Sequence, residues 1–153
     1  MVEAGSPEWD ALRSELSDYL AELAEMEGVA LERRVDGSPA YPWFDRYWLD
    51  DDRIPFLIEV SRAIAGFCLV RVMDGGWSIA EFGIRPEWRR QGVGSRSVEV
   101  LASIARRAGA RHLRADVHSW NDGAICFWTA CGFRPTRQAD GLVSVRLALR
   151  QVV

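Results

Sequence analysis

Between residues 77 and 107 the hydrophobic period of the chain changes from that of a strand to that of a helix. "WSIAEFGI" alternates, with Trp77, Ile79 and Glu81 on one face of an expected strand. "GVGSRSVEVLASIARRAG" puts Val98, Leu101, Ala102 and Ala105 on one side of an expected helix that stops at Gly109. The junction reads "RPEWRRQGVG". Two glycines separated by one residue let the backbone turn tightly and expose successive N–H groups, and the helix that begins there adds its positive end. Amides of about residues 90 to 95 would converge on one spot, which is what an anion requires. A pyrophosphate there would gain charge-assisted N–H bonds and about 0.3–2 kcal/mol from the dipole. The turn is not a dinucleotide fingerprint, because Ser97 stands where the third glycine belongs and the preceding strand is part of a meander.

The rest of the chain follows from the same periodicities. "IPFLIEV", "AIAGFCLVRV" and "WSIAEFGI" are three β-rich segments joined by short turns, which predicts an antiparallel meander. After the helix come a strand, "RHLRADVHS", a short helix, "NDGAICFWTACG", and a closing strand, "LVSVRLALR". Upstream, Ser6, Pro7 and Glu8 open a helix whose Leu12, Leu16, Tyr19, Leu20 and Leu23 share a face as far as Gly28. Its Glu15, Asp18, Glu22 and Glu25 read as a solvated acidic face. The expectation is an α+β fold in a single domain over residues 1–153, with a mixed central sheet and helices on both faces.

Composition removes several functions. With no lysine among 153 residues, a P-loop lysine, a Schiff base and a lysine general base are all impossible. A net charge of −3 argues against nucleic acid as a partner. No apolar stretch is long enough to span a bilayer, and "MVEAGSPEWD" has no secretory character, so a cytoplasmic location is expected. Cys68, Cys126 and Cys131 lack metal or redox spacing and read as buried reduced thiols. His118 and Asp116 share a strand face, but two histidines in the whole chain give a metal site little support, and no metal is expected.

Residues 36–53, "DGSPAYPWFDRYWLDDDR", combine aromatics with a run of acids. Phe44, Tyr47 and Trp48 lie at helical spacing. Two readings stay open: the aromatics anchor a long connection to the core, or Trp43, Phe44, Tyr47 and Trp48 with Asp45 line an acceptor pocket suited to a cationic amine.

Two motifs together resemble the GNAT superfamily of acyl-CoA-dependent N-acyltransferases. "RRQGVG" matches the pattern R/Q-x-x-G-x-G/A, and "NDGAICFWTACGF" matches N-x-x-A-x-x-F-(Y)-x-x-x-G-F. The resemblance covers roughly residues 54–149, leaving residues 6–53 as an N-terminal helix and an acceptor-side loop. It implies that acetyl-CoA is the co-substrate and that its pyrophosphate lies on the amides of Arg90, Gln91, Gly92, Val93, Gly94 and Ser95, beside Arg89. The pantetheine arm would pair with Phe82, Gly83 and Ile84, and Asn121, Ala124, Phe127 and Trp128 would line the far side. A small-molecule or peptide amine would be the acceptor, and a homodimer is compatible with the resemblance. The sequence departs from the pattern at Trp128, where many members carry a tyrosine that protonates the departing thiolate. Another donor could serve, the thiolate could leave as an anion, or the protein could bind acyl-CoA without turnover. Glu81, among large apolar neighbours, is the candidate base, because such surroundings raise a carboxyl pKa.

Overall fold

The computed structural model describes residues 6–151; residues 1–5, part of the stretch read above for secretory character, lie outside them. Helix α1 spans Pro7–Glu27. The Ser6 hydroxyl accepts from the Trp9 N–H at 3.2 Å, Pro7 fills a position whose donor would be orphaned, and Glu8 and Asp10 sit near the positive helix end. There follow α2 (Arg46–Leu49), β1 (Arg53–Val60), β2 (Ala63–Met73), β3 (Gly76–Ile84), a single 3-10 turn (Pro86–Trp88), α3 (Val93–Arg107), β4 (His112–His118), α4 (Asp122–Ala130), β5 (Arg134–Ala139) and β6 (Leu142–Ala148).

The strands form one six-stranded sheet in the order β1-β2-β3-β4-β6-β5. Two-residue connections join β1 to β2 and β2 to β3, which only antiparallel neighbours allow. The α3 crossover makes β3 and β4 parallel, paired from Trp77↔Leu113 to Ile79↔Ala115. β6 then runs antiparallel to both β4 and β5. The expected α+β class and its mixed sheet are therefore present.

β5 has no counterpart in the periodicity reading. "RPTRQA" shows no apolar alternation and contains Pro135, which cannot donate to a ladder. It pairs all the same, because its place at the sheet edge leaves most of its residues exposed and tolerates a register shift between Pro135 and Arg137.

The chain divides into two compact units, one holding the residues up to Leu69 with Glu81–Glu87, the other Val70–Ala80 with the chain from Trp88 onward. In the first, Leu12 and Leu16 of α1 join Phe44, Tyr47, Phe67 and Leu69 in a buried cluster, against which Trp9, Tyr19, Tyr41 and Trp48 pack. The acidic face of α1 is not wholly solvated, because Glu15 is only 4% exposed. Its carboxylate accepts from Arg85 Nε at 2.6 Å, a partner 70 positions away that helical spacing cannot reveal.

In the second unit, Val98, Leu101, Ala102 and Ala105 line the buried side of α3, as its spacing predicts. Leu113, Ala115 and Val117 of β4 and Val143 and Val145 of β6 are buried as well. All three cysteines are free thiols, but only Cys68 is buried; Cys126, on α4, is exposed and Cys131, the C-cap of that helix, is intermediate.

The polar face of β4, β6 and β5 carries a row of like charges. Arg114 lies opposite Arg146, and Arg146 opposite Arg134. Asp116 relieves Arg114 at 3.0 Å, while Arg134 has no ion-pair partner among the described residues. Directly opposed like charges destabilise a sheet by roughly 0.2–1 kcal/mol per pair. Arg134→Thr should therefore raise the free energy of unfolding by a few tenths to about 1 kcal/mol. Urea denaturation at low salt, where screening is weakest, is the measurement; an unchanged or lowered midpoint would show that the row carries no such cost.

Candidate functional site

β3 carries the central group. Trp77 and Ile79 are buried on one side of the strand, and Glu81, next in the alternation, is half-buried. Three segments distant in sequence meet at its carboxylate. The Tyr41 hydroxyl donates to Oε1 at 3.5 Å, and Tyr19 of α1 supplies a second phenolic donor. No cation pairs with Glu81 among the described residues. Burial pushes its carboxyl up from an ordinary value of 4.5 to about 7, with the two phenols pulling in the opposite direction. Both phenols are themselves pushed up, first by burial and then by the Glu81 charge, so they remain protonated donors.

The packing that holds Tyr19 explains a glycine. A Cβ on Gly83 would lie 2.8 Å from Phe67 Cε1 and 3.1 Å from Tyr19 Cδ2, whereas glycine admits both rings. Those rings meet edge to face, 5.3 Å apart. Phe82, Gly83 and Ile84, the segment expected to meet an extended ligand, are all half-buried.

The glycine turn, expected to hold an anion, has a distinctive backbone. Arg90 has φ 61° and Gly92 φ 79°, so two left-handed residues flank Gln91. Such a conformation costs an arginine energy and persists where the surroundings demand it. Gly92 is the N-cap of α3 and offers no side chain to its first turn. The amides of Val93, Gly94 and Ser95 therefore have no intrahelical acceptor. Gly92 and Ser95 are exposed and Val93 and Gly94 half-exposed, within reach of a ligand, as are the side chains of Arg89, Arg90 and Gln91. Backbone donors, a helix N-terminus and arginines fit a pyrophosphate.

In α4, Asn121 is a helix cap whose Oδ1 accepts from the Ala124 N–H at 3.1 Å. Phe127 is half-buried. Trp128 is 6% exposed and lies edge-on to Phe127 at 5.0 Å and to Phe133 at 4.9 Å. At the position of the usual tyrosine there is thus a core indole, which has no proton to give at neutral pH.

The aromatic loop is divided between two environments. Phe44 and Tyr47 belong to the core cluster, and Trp48 packs on Phe44 at 4.6 Å. Trp43 is 48% exposed beneath the guanidinium groups of Arg46 and Arg53, and Asp45 is exposed. Asp116 is taken up by Arg114 and Ser144, and His118 stacks on Trp120. Among the described residues no cluster of three or more potential ligands could hold a metal, and no helix is long and apolar enough to cross a membrane.

The sequence profile of the acetyltransferase (GNAT) family matches residues 9–133. The chain belongs to the GNAT acetyltransferase family. It is an acyl-CoA-dependent N-acetyltransferase. It is 27% identical over 140 residues to the thialysine N-epsilon-acetyltransferase of Sus scrofa, covering 86% of this chain and 80% of that one. The Mus musculus protein of the same description is 24% identical, over 90% and 89% of the two chains. Among solved structures, an acetyltransferase from Thermus thermophilus superposes with TM-score 0.75 at 19% identity, over 97% and 96% of the chains. The PaiA N-acetyltransferase of Thermoplasma acidophilum, solved with coenzyme A, superposes with TM-score 0.69 at 14% identity, over 92% and 94%.

The sequence singles out Glu81 and the glycine turn as candidates but not the phenols beside Glu81. Tyr19 read as an apolar helix position and Tyr41 as the start of a loop; the signal available was that both are tyrosines where a phenylalanine would pack as well. Asn121→Ala should cost about 1 kcal/mol by orphaning the first-turn amide of α4, lowering Tm by about 2–4 °C in a calorimetric scan. A Tm equal to wild type would show that the cap contributes nothing.

Proposed function

We propose that the protein transfers an acetyl group from acetyl-CoA to a primary amine by direct attack, with Glu81 as the base. What supports this reading above all is a carboxyl pushed up to about 7, held by hydroxyl donors and matched by no cation, on the strand that leads into an anion-binding turn. The names of the mammalian relatives support a small amine carrying a side-chain amino group. Asp45, exposed on the aromatic loop, suits a cationic acceptor, whereas the Trp43 ring already carries the guanidinium groups of Arg46 and Arg53.

The amides of Val93, Gly94 and Ser95 would hold the pyrophosphate, and those of Phe82–Ile84 would pair with the pantetheine arm and polarise the thioester carbonyl. Glu81 takes a proton from the ammonium, directly or through water. The freed amine then forms the N–C bond, the nitrogen of the tetrahedral adduct gives its second proton to water, and the C–S bond breaks as the adduct collapses to the amide. With an indole at Trp128, the sulfur leaves as thiolate and takes its proton from solvent. A thiol titrating near pH 8.5 leaves without help at a cost within the roughly 10²–10⁴ that general acid catalysis typically provides.

Four measurements test this. Calorimetric titration with acetyl-CoA should show micromolar binding that Gly92→Val/Gly94→Val loses; failure of the wild type to bind would remove the co-substrate from the reading. For Glu81→Gln, kcat/KM toward thialysine and a polyamine panel should fall by about 10²–10⁴. The wild-type profile should rise with pH and level off above about 7, where the carboxyl is ionised. Linkage has the opposite sign for stability. A raised carboxyl pKa destabilises the fold as pH rises from 4.5 through 7, so the glutamine variant should melt higher than wild type at pH 8 and equally at pH 4. A variant that keeps wild-type turnover refutes the base.

A further inference from the structure

We propose that Tyr41 and Tyr19 are positioning residues, two phenols brought from opposite ends of the N-terminal segment to hold the Glu81 carboxylate ionised and in one orientation for proton acceptance. The inference rests on the reading of Glu81 as the base, and its test reads Glu81 directly so that the two can fail separately.

The geometry carries the argument. A carboxylate in apolar surroundings needs partners, and the usual partner is a cation. Arginine is abundant in this chain, and an arginine reaches the buried acid of α1, Glu15. None reaches Glu81. Its donors are the Tyr41 hydroxyl at 3.5 Å and the Tyr19 hydroxyl. A guanidinium would hold the carboxyl well below neutrality, leaving a poor base at pH 7, whereas unsupported burial would keep it protonated. Phenols lie between these extremes, because they favour the ionised form by hydrogen bonding without neutralising it.

Every element that faces the carboxylate contributes a group consistent with this. α1 contributes Tyr19, the segment before α2 contributes Tyr41, α2 contributes Tyr47 and β2 contributes Cys68. The thiol of Cys68 is pushed up by burial and by the Glu81 charge, and so stays neutral. Arg53 of β1 acts on the phenols of Tyr41 and Tyr47. No hydrogen bond joins Tyr47 to Glu81, which makes it the control: a phenol in the same cluster that does not donate to the carboxylate.

The phenols are also placed rigidly. The Tyr19 ring is clamped edge-on to Phe67 over the bare Cα of Gly83, two residues after Glu81 on the same strand. A Cβ on Gly66 would run into the carbonyl oxygen of Gly83, so β2 and β3 approach closely at the level where Tyr19 enters. Tyr41 packs against the core cluster that contains Phe44 and Tyr47.

The test is a pH titration of the Glu81 carboxyl by carbon-13 NMR in glutamate-labelled protein, the resonance assigned by its loss in Glu81→Gln. It needs no acceptor. The expected wild-type midpoint is near 7. Tyr41→Phe and Tyr19→Phe each remove a donor to the ionised form, so each should raise the midpoint by half a unit or more, and both together by more. Tyr47→Phe should leave it in place. The pH–rate profile, with acetyl-CoA and thialysine, should move to higher pH by the same amount, with rates converging on wild type at pH 9. If Tyr19→Phe unfolds, Tyr41→Phe alone decides the question. A midpoint unmoved or lowered in Tyr41→Phe, or moved equally in Tyr47→Phe, overturns the proposal. An active Glu81→Gln, with the midpoint shifts intact, would instead sink the base and leave the carboxylate-phenol cluster as architecture.

Discussion

A carboxylate taken out of water without a countercharge is the constraint around which the first unit is arranged. Glu81 can occupy its place on β3 only because hydroxyl donors arrive from α1 and from the segment before α2. Their arrival requires that Gly83 carry no side chain and that Phe67 present its ring edge to Tyr19. The same core cluster that buries Leu12 and Leu16 therefore also sets the basicity of a carboxyl group, so packing and chemistry are one arrangement.

The buried Glu15 and the half-buried Glu81 of this unit differ in the partners they meet. Glu15 meets a guanidinium and is locked as a charge, tying α1 to Arg85 just beyond β3. Glu81 meets phenols and is left poised near neutrality. Residue type and burial alone do not separate a structural acid from a basic one; the partner does. The glycine turn works by a different principle. What it presents is backbone amides, which depend little on side chains and need only that Gly92 and Arg90 hold left-handed backbone ahead of α3.

The position of Trp128 shows a family motif whose chemistry has been replaced by packing. Its indole stands edge-on to Phe127 and Phe133 in the core of the second unit, so the residue consolidates α4 and donates no proton to a leaving group. A thioester tolerates this loss because its leaving group is already a weak base, which an alcohol or amine would not be.

Local periodicity by itself determined much of the structure. The strand-to-helix switch at residues 84–93, the α3 face of Val98, Leu101, Ala102 and Ala105, the cap at Ser6 and the alternation that singles out Glu81 all depend on interactions within a few residues, which composition and spacing encode. The edge strand β5 was illegible because an exposed edge imposes no hydrophobic pattern. The pairing of Glu15 with Arg85, and of Glu81 with Tyr19 and Tyr41, links residues 40 to 70 positions apart, and only the folded chain could decide it. Which acid is neutralised and which is poised depends on which donors the sheet and α1 bring within bonding distance, and no local spacing contains that information.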